Sequence, residues 1–225
     1  MGRKYKPLGF KSYGSIGHLS KSRMGPSESK VPQGQEIIAT QKLRDKKDIV
    51  IVQEKLDGSN VGVALKDGKI YALGRAGYEA KTSPYPMHHA FHDWVYENEE
   101  RFRSILKNGQ RVCGEWLLQP HGTIYELNHE PFVAFDIFDA ENMRFNFDAF
   151  QKTLDNKFVT PYLVSLGPPV SVEHALESLG EFGRHGATEA IEGAVWRVER
   201  NGQVDFLCKY VRPDKIDGKY LKPRS

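Results

Sequence analysis

Cysteine is nearly absent: Cys113 and Cys208 are the only two in 225 residues. They lie far apart and have no metal-ligand spacing, which excludes a zinc cluster and a disulfide framework and leaves both as expected buried thiols. Long hydrophobic runs are missing too, since nothing approaches the roughly 20 apolar residues of a membrane helix. The opening MGRKYKPLG has no apolar stretch of the kind a secretory signal carries, and Lys6 stands where a myristoylation signal needs a hydroxyl. The expected address is therefore cytoplasmic, with no membrane partner. Also missing are GxxxxGK[ST], GxSxG and HExxH, which removes P-loop, nucleophile-elbow and zincin chemistry. His88 and His92 fall one helical turn apart, yet without a third ligand they read as a polar helix face.

What is present suits a globular chain: 39% hydrophobic and 11% aromatic residues. The net charge of +3 is unevenly spread. Residues 1–30 hold seven basic residues against Glu28, a balance of +6, and residues 209–225 carry +4, so the middle carries −7. Basic ends of this kind suit a phosphate-backbone partner.

Residues 1–35 are rich in Gly, Ser, Pro and Lys without periodicity, and are expected to form an irregular basic arm ahead of one body, 36–225, that ends in a short basic tail. Strands are expected over 48–56, 60–75, 111–118 and 131–139. Hairpin turns fall at Lys66-Asp67-Gly68-Lys69 and Asn201-Gly202, the second inside 192–211. Apolar spacing predicts helices over 87–107, 147–154 and 171–182. Hairpins mixed with a few helices give an α+β class with antiparallel sheets.

One lysine stands out. In EKLDGSN (54–60) a run of β-formers ends at Lys55, followed at once by a turn. A lysine becomes a nucleophile only when neighbouring cations or desolvation favour its neutral form, and a strand end can hold it still while a phosphate approaches. Downstream follow GRAG (74–77), GEWL (114–117), FVAFDIFD (132–139), EGAVWR (192–197) and FLCKYVR (206–212). Each puts a charged or aromatic residue where a strand would more readily take Val or Ile.

This ordered set resembles the covalent nucleotidyltransferase superfamily of polynucleotide ligases and mRNA capping enzymes, and most closely its RNA ligase family. EKLDGSN is similar to motif I, GEWL to III, FVAFDIFD to IIIa, EGAVWR to IV and FLCKYVR to V. The resemblance implies an adenylation domain of antiparallel sheets flanked by helices, here without an OB-fold domain, because little more than a dozen residues follow Arg212. It implies ATP and Mg²⁺ or Mn²⁺ as cofactors and an RNA partner with 3′-hydroxyl and 5′-phosphate ends. A monomer is expected, and a protein partner is left open.

By the resemblance, Lys55 attacks the α-phosphate and carries AMP. Glu54 and Asp57-Gly58 frame the nucleotide, with Asn60 and Arg75 near ribose and phosphates. Glu115 binds the ribose hydroxyls and Phe135 stacks on adenine, with Phe132 as the substitute. Glu192 holds the metal or faces the α-phosphate, and Lys209 neutralises that phosphate. One departure is visible: relatives place two lysines in motif V with one residue between them, whereas here Lys209 is flanked by Leu207 and Val211. Alternatives are a minimal ATP-dependent DNA ligase and a non-catalytic nucleic-acid-binding relative, and residue types alone leave GTP open.

Overall fold

The computed structural model describes residues 5–216 and 218. Two compact units emerge, each assembled from separate stretches: unit 1 from Met1–Gly14, Ser59–Gln119 and Pro131–Thr160, unit 2 from Ser15–Gly58, Pro120–Glu130 and Pro161–Ser225.

Unit 2 is built on a five-stranded sheet of order β1-β9-β8-β2-β7. Its strands are β1 (Gly17–His18), β2 (Asp48–Lys55), β7 (Leu163–Gly167), β8 (Gly193–Arg200) and β9 (Gln203–Val211). Pairing is antiparallel except between β1 and β9. The β8–β9 hairpin turns where expected: Asn201 and Gly202 have φ of 53° and 74°, the left-handed pair that a two-residue hairpin requires. Side chains alternate across a sheet, so one face of unit 2 presents Val50, Val52, Ala194, Trp196, Val198 and Cys208 to the core. Ala39 of α1 (Gln33–Thr40) and Ala175 and Leu179 of α5 (Val172–Leu179) close that core. Ser171 caps α5 by accepting from the His174 N–H.

The stretch expected to be an irregular arm holds little regular structure, but Leu19 within it is fully buried in this core. The β1 pairing fixes it there, with Gly17 opposite Cys208 and His18 opposite Lys209.

Unit 1 carries a four-stranded antiparallel sheet of order β4-β3-β5-β6, made of β3 (Ser59–Lys66), β4 (Lys69–Gly74), β5 (Arg111–Trp116) and β6 (Phe132–Phe138). Asp67 and Gly68 make its tight turn with φ of 50° and 72°. The helix expected over 87–107 is two: α2 (Pro86–Glu97) and α3 (Glu99–Ile105). Asn98 divides them, because its amide donates to the Trp94 carbonyl while its Oδ1 accepts from Arg101, a local alternative to helix bonding that asparagine offers readily. Phe91, Phe102, Trp116 and Phe132 pack the core of this unit. Helix α4 (Phe147–Leu154) lies where expected, capped by Asn146 Oδ1 on the Ala149 N–H.

Candidate active site

In unit 2, β2 delivers Lys55 at its last position, opposite Gly193 of β8. A Cβ on Gly193 would run into the Tyr210 carbonyl, so glycine lets β9 pass close by at this level. Glu192, one residue before β8, receives the Lys55 ammonium, with Nζ 2.5 Å from Oε2. Lys55 keeps 20% of its side chain exposed against 8% for Glu192. Burial pushes the Glu192 carboxyl upward, opposed by the positive charge of Lys55. The Arg212 N–H donates to the Glu192 carbonyl and ties the strand ends together.

After Lys55 the chain turns through Asp57, which is nearly buried. Its Oδ2 accepts from the Gly122 N–H at 2.9 Å and from Lys215 Nζ at 2.7 Å. Its own N–H donates to the Tyr125 hydroxyl at 3.0 Å. Lys55 is thus paired with Glu192, and Lys215 with Asp57.

The register puts Lys209 opposite Val195, which lies opposite Gln53, and alternation then gives Lys209 the same face as Lys55. Its ammonium meets Glu28 Oε1 at 2.6 Å. Glu28 also accepts from the Gly25 N–H and lies 3.0 Å from His18 Nε2. Against the upward push of burial, these partners hold Glu28 down to about 2. Burial lowers His18, and Lys209 adds to that despite the opposing hydrogen bond that His18 donates to Glu28.

Glu54 points the other way, as the neighbour of Lys55 on a strand must. It is 2% exposed, its Oε2 accepts from the Arg184 N–H at 3.0 Å, and its Oε1 has no hydrogen-bond partner among the described residues. Burial raises its pKa to about 7, with the Arg184 N–H opposing.

In unit 1, Asn60 on β3 lies opposite Glu115 on β5, so the two share a face. Asn60 Oδ1 is buried and lacks a hydrogen-bond partner among the described residues. Arg75, just past β4, donates to the Gly14 carbonyl at 3.2 Å. Phe135 occupies a β-bulge: Gly114 pairs with Ala134 and Cys113 with Asp136, skipping it. A bulge re-aims its side chain, and the ring is half-buried, edge-on to Tyr13 at 5.1 Å. Phe132, the substitute considered from sequence, is fully buried among Phe91, Trp94, Phe102 and Phe158, which makes it core.

Within unit 2 the structure brings Lys55, Glu192 and Asp57 together, with Lys209 on the same sheet face and Glu54 on the opposite one. Within unit 1 it pairs Asn60 with Glu115. Sequence reasoning missed Lys215, Gly122 and Tyr125 around Asp57 and the Glu28–His18 partners of Lys209. Only folding joins them, and no local pattern marks Lys215 among the six basic residues of the tail. Among the described residues no cluster of three or more His, Cys, Asp or Glu could hold a metal by itself, and no helix is long and apolar enough to cross a membrane.

Comparison with known proteins bears on the family and the fold. The RNA ligase family matches residues 48–211. Among solved structures, a Naegleria gruberi RNA ligase variant with ATP and Mn is similar at 20% identity and a TM-score of 0.53, covering 75% of this chain and 51% of that one. Another Naegleria variant, with AMP and Mn, gives 19% and 0.56, covering 91% and 61%. An archaeal ATP-dependent RNA ligase gives 21% and 0.55, covering 89% and 48%. The chain therefore spans about half to three-fifths of the length of these structures, and at such identities they speak for the fold. No curated protein matches. The family match runs from the first residue of β2 to the last of β9 and takes in Lys55, Glu115, Phe135, Glu192 and Lys209, and the chain belongs to the RNA ligase family.

Proposed function

We propose that the protein is an ATP-dependent RNA ligase that joins 3′-hydroxyl and 5′-phosphate ends through a lysyl-AMP intermediate. The observation that carries this reading is the Lys55 ammonium at a strand end, paired at 2.5 Å with the buried Glu192 and followed by the Asp57 turn. A surface lysine needs neither partner.

In the first step, neutral Lys55 Nζ attacks the α-phosphorus of ATP. A nitrogen–phosphorus bond forms, and the bond to the bridging oxygen breaks with its electrons leaving on pyrophosphate. Glu192 holds the Lys55 ammonium in place beforehand and, with its carboxyl pushed upward by burial, accepts the proton that Nζ gives up to become the attacking amine. Lys209 supplies positive charge toward the α-phosphate, the kind of stabilisation on which phosphoryl and nucleotidyl transfer chiefly depend. AMP then passes from Lys55 to a 5′-phosphate oxygen, and a 3′-hydroxyl displaces it to seal the strand.

Among the described residues, Glu54 Oε1 in unit 2 and Asn60 Oδ1 in unit 1 are each buried without a hydrogen-bond partner, and each suits a group that brings a donor. Glu115 is assigned to the ribose, Arg75 to the phosphates and Phe135, on its bulge, to the base. Glu192, next to Asp57, suits Mg²⁺ or Mn²⁺, which take one or two carboxylates and complete their shell with phosphate oxygens and water. The metal would neutralise phosphate charge during transfer. On this reading the enzyme works in the cytoplasm as a monomer, on RNA.

The test is to incubate the protein with Mg²⁺ and ATP or GTP radiolabelled at the α-phosphate, then run a denaturing gel beside Lys55→Ala. Label from ATP on the wild type alone is expected. Absence of label from the folded, AMP-free protein would overturn the reading, and label from GTP alone would replace the cofactor. Sealing of nicks with RNA or DNA on the 3′-hydroxyl side then separates an RNA ligase from a DNA ligase, and a requirement for DNA there sinks the RNA assignment.

A further inference from the structure

β9 ends at Val211, and the register sets Val211 opposite Gly193, itself opposite Lys55. The level of the sheet that holds Lys55 thus receives a buried valine from β9, not a cation. Arg212, the next basic residue, has its guanidinium on the Ala190 carbonyl and 3.6 Å from Asp214. The chain then turns, with the Lys215 N–H donating to the Arg212 carbonyl, and this turn carries Lys215 back toward the loop after Lys55.

Lys215 has 3% of its side chain exposed, an unusual state for a lysine in a basic tail. Its Nζ is bound by Asp57 Oδ2 at 2.7 Å and by Thr123 Oγ1, and Thr123 is itself fully buried. The seat is closely built. A Cβ on Gly122 would lie 2.6 Å from the Ile216 carbonyl oxygen, 2.7 Å from Asp57 Oδ2 and 3.0 Å from Lys215 Cε, so only glycine lets these three segments meet. Glu192 also feels the Lys215 charge.

We infer that Lys215 is a positioning residue for nucleotidyl transfer, holding the Asp57 carboxylate and, through it, the turn that follows Lys55. The inference rests on the proposed function and assigns to the tail a task that no motif residue performs. Two carboxylates, Asp57 and Glu192, share a nearly buried setting, and a lone buried anion beside another is costly. Lys55 answers Glu192 and Lys215 answers Asp57. Lys55 leaves its pair when it attacks, whereas Lys215 stays, so the geometry of the turn survives the step.

The test is a double-mutant cycle on the full chain with Lys215→Met, Asp57→Asn and the pair, together with Lys215→Arg. Single-turnover formation of enzyme-bound AMP is followed over a range of ATP concentrations, and thermal melting is recorded for each protein. Lys215→Met is expected to slow the maximal rate about 10- to 100-fold with a smaller change in half-saturating ATP, with partial rescue by Lys215→Arg. The pair should be no slower than the slower single variant, since residues acting as one unit are not additive. The melting cycle should show coupling of the same sign, with the double variant recovering stability that Lys215→Met loses. If the wild type is labelled and Lys215→Met is labelled equally fast, the inference fails while the proposed function stands. Rate effects that simply multiply, or melting effects that simply add, also overturn it. If the wild type takes no label, the proposed function falls and the inference with it.

Discussion

Glu54 and Lys55 are consecutive in the chain and face opposite sides of β2: Lys55 reaches Glu192, and Glu54 is shut in against the Arg184 N–H with one oxygen unbonded among the described residues. A single strand end thus supplies a partly exposed cation on one face and a buried carboxyl on the other.

The Glu54 side makes a pH prediction. Burial raises its pKa from 4.5 to about 7, so between those values the folded chain holds a proton that the unfolded chain has lost. The associated stability is complete below about pH 4.5, falls as pH rises through 7, and then levels, with a total loss of at most about 3 kcal/mol. Urea unfolding of wild type and Glu54→Gln at pH 5 and pH 8 checks this. The variant should be flatter across the window, and equal slopes would refute the assignment.

The Lys55 side makes a kinetic one. Glu192→Gln keeps the shape but removes the charge that holds the ammonium at 2.5 Å. The rate of enzyme-AMP formation should fall about 100-fold, the order seen when a positioned polar group at a reacting centre is lost. A labelling time course decides it, and a variant as fast as wild type would leave Glu192 without a role in this step.

Two phenylalanines three residues apart should behave differently. Phe132→Ala empties a fully buried core position and should cost about 3–5 kcal/mol of stability. Phe135→Ala, on the bulge and half-buried, should cost far less stability but raise the ATP needed for half-maximal labelling about tenfold, through loss of about 1–3 kcal/mol of base stacking. Melting curves and ATP titrations of both variants distinguish them. Unchanged ATP dependence in Phe135→Ala removes it as the stacking residue.

Both hairpins were legible in the sequence because their turns need left-handed backbone, which Asp67-Gly68 and Asn201-Gly202 advertise. Helix α4 was legible from its spacing, and its Asn146 cap is of a preferred type. The break at Asn98 was hidden because the apolar spacing runs straight through it, and the competing bonds of Asn98 exist only once Trp94 and Arg101 are placed. The motif residues of the site stood out because strands seldom carry Glu or Lys inward. Their partners did not: Lys215 reaches Asp57 across 158 positions of sequence, and neither composition nor period encodes such a distance. The bulge at Phe135 was equally silent, being a property of how β5 and β6 pair.

The two-residue strand β1 finishes one side of its sheet. Beyond it β9 would present a row of unpaired peptide groups, a template on which another chain can add a strand. Gly17 and His18 cover that row in parallel at Cys208 and Lys209, and Leu19 pins them by donating its N–H to the Lys209 carbonyl. A chain trimmed to begin at Glu36 would keep every motif and lose this cover. Such a fragment is exposed to edge-to-edge self-association, so residues 15–30 serve as the stopper of the sheet as well as the source of Glu28.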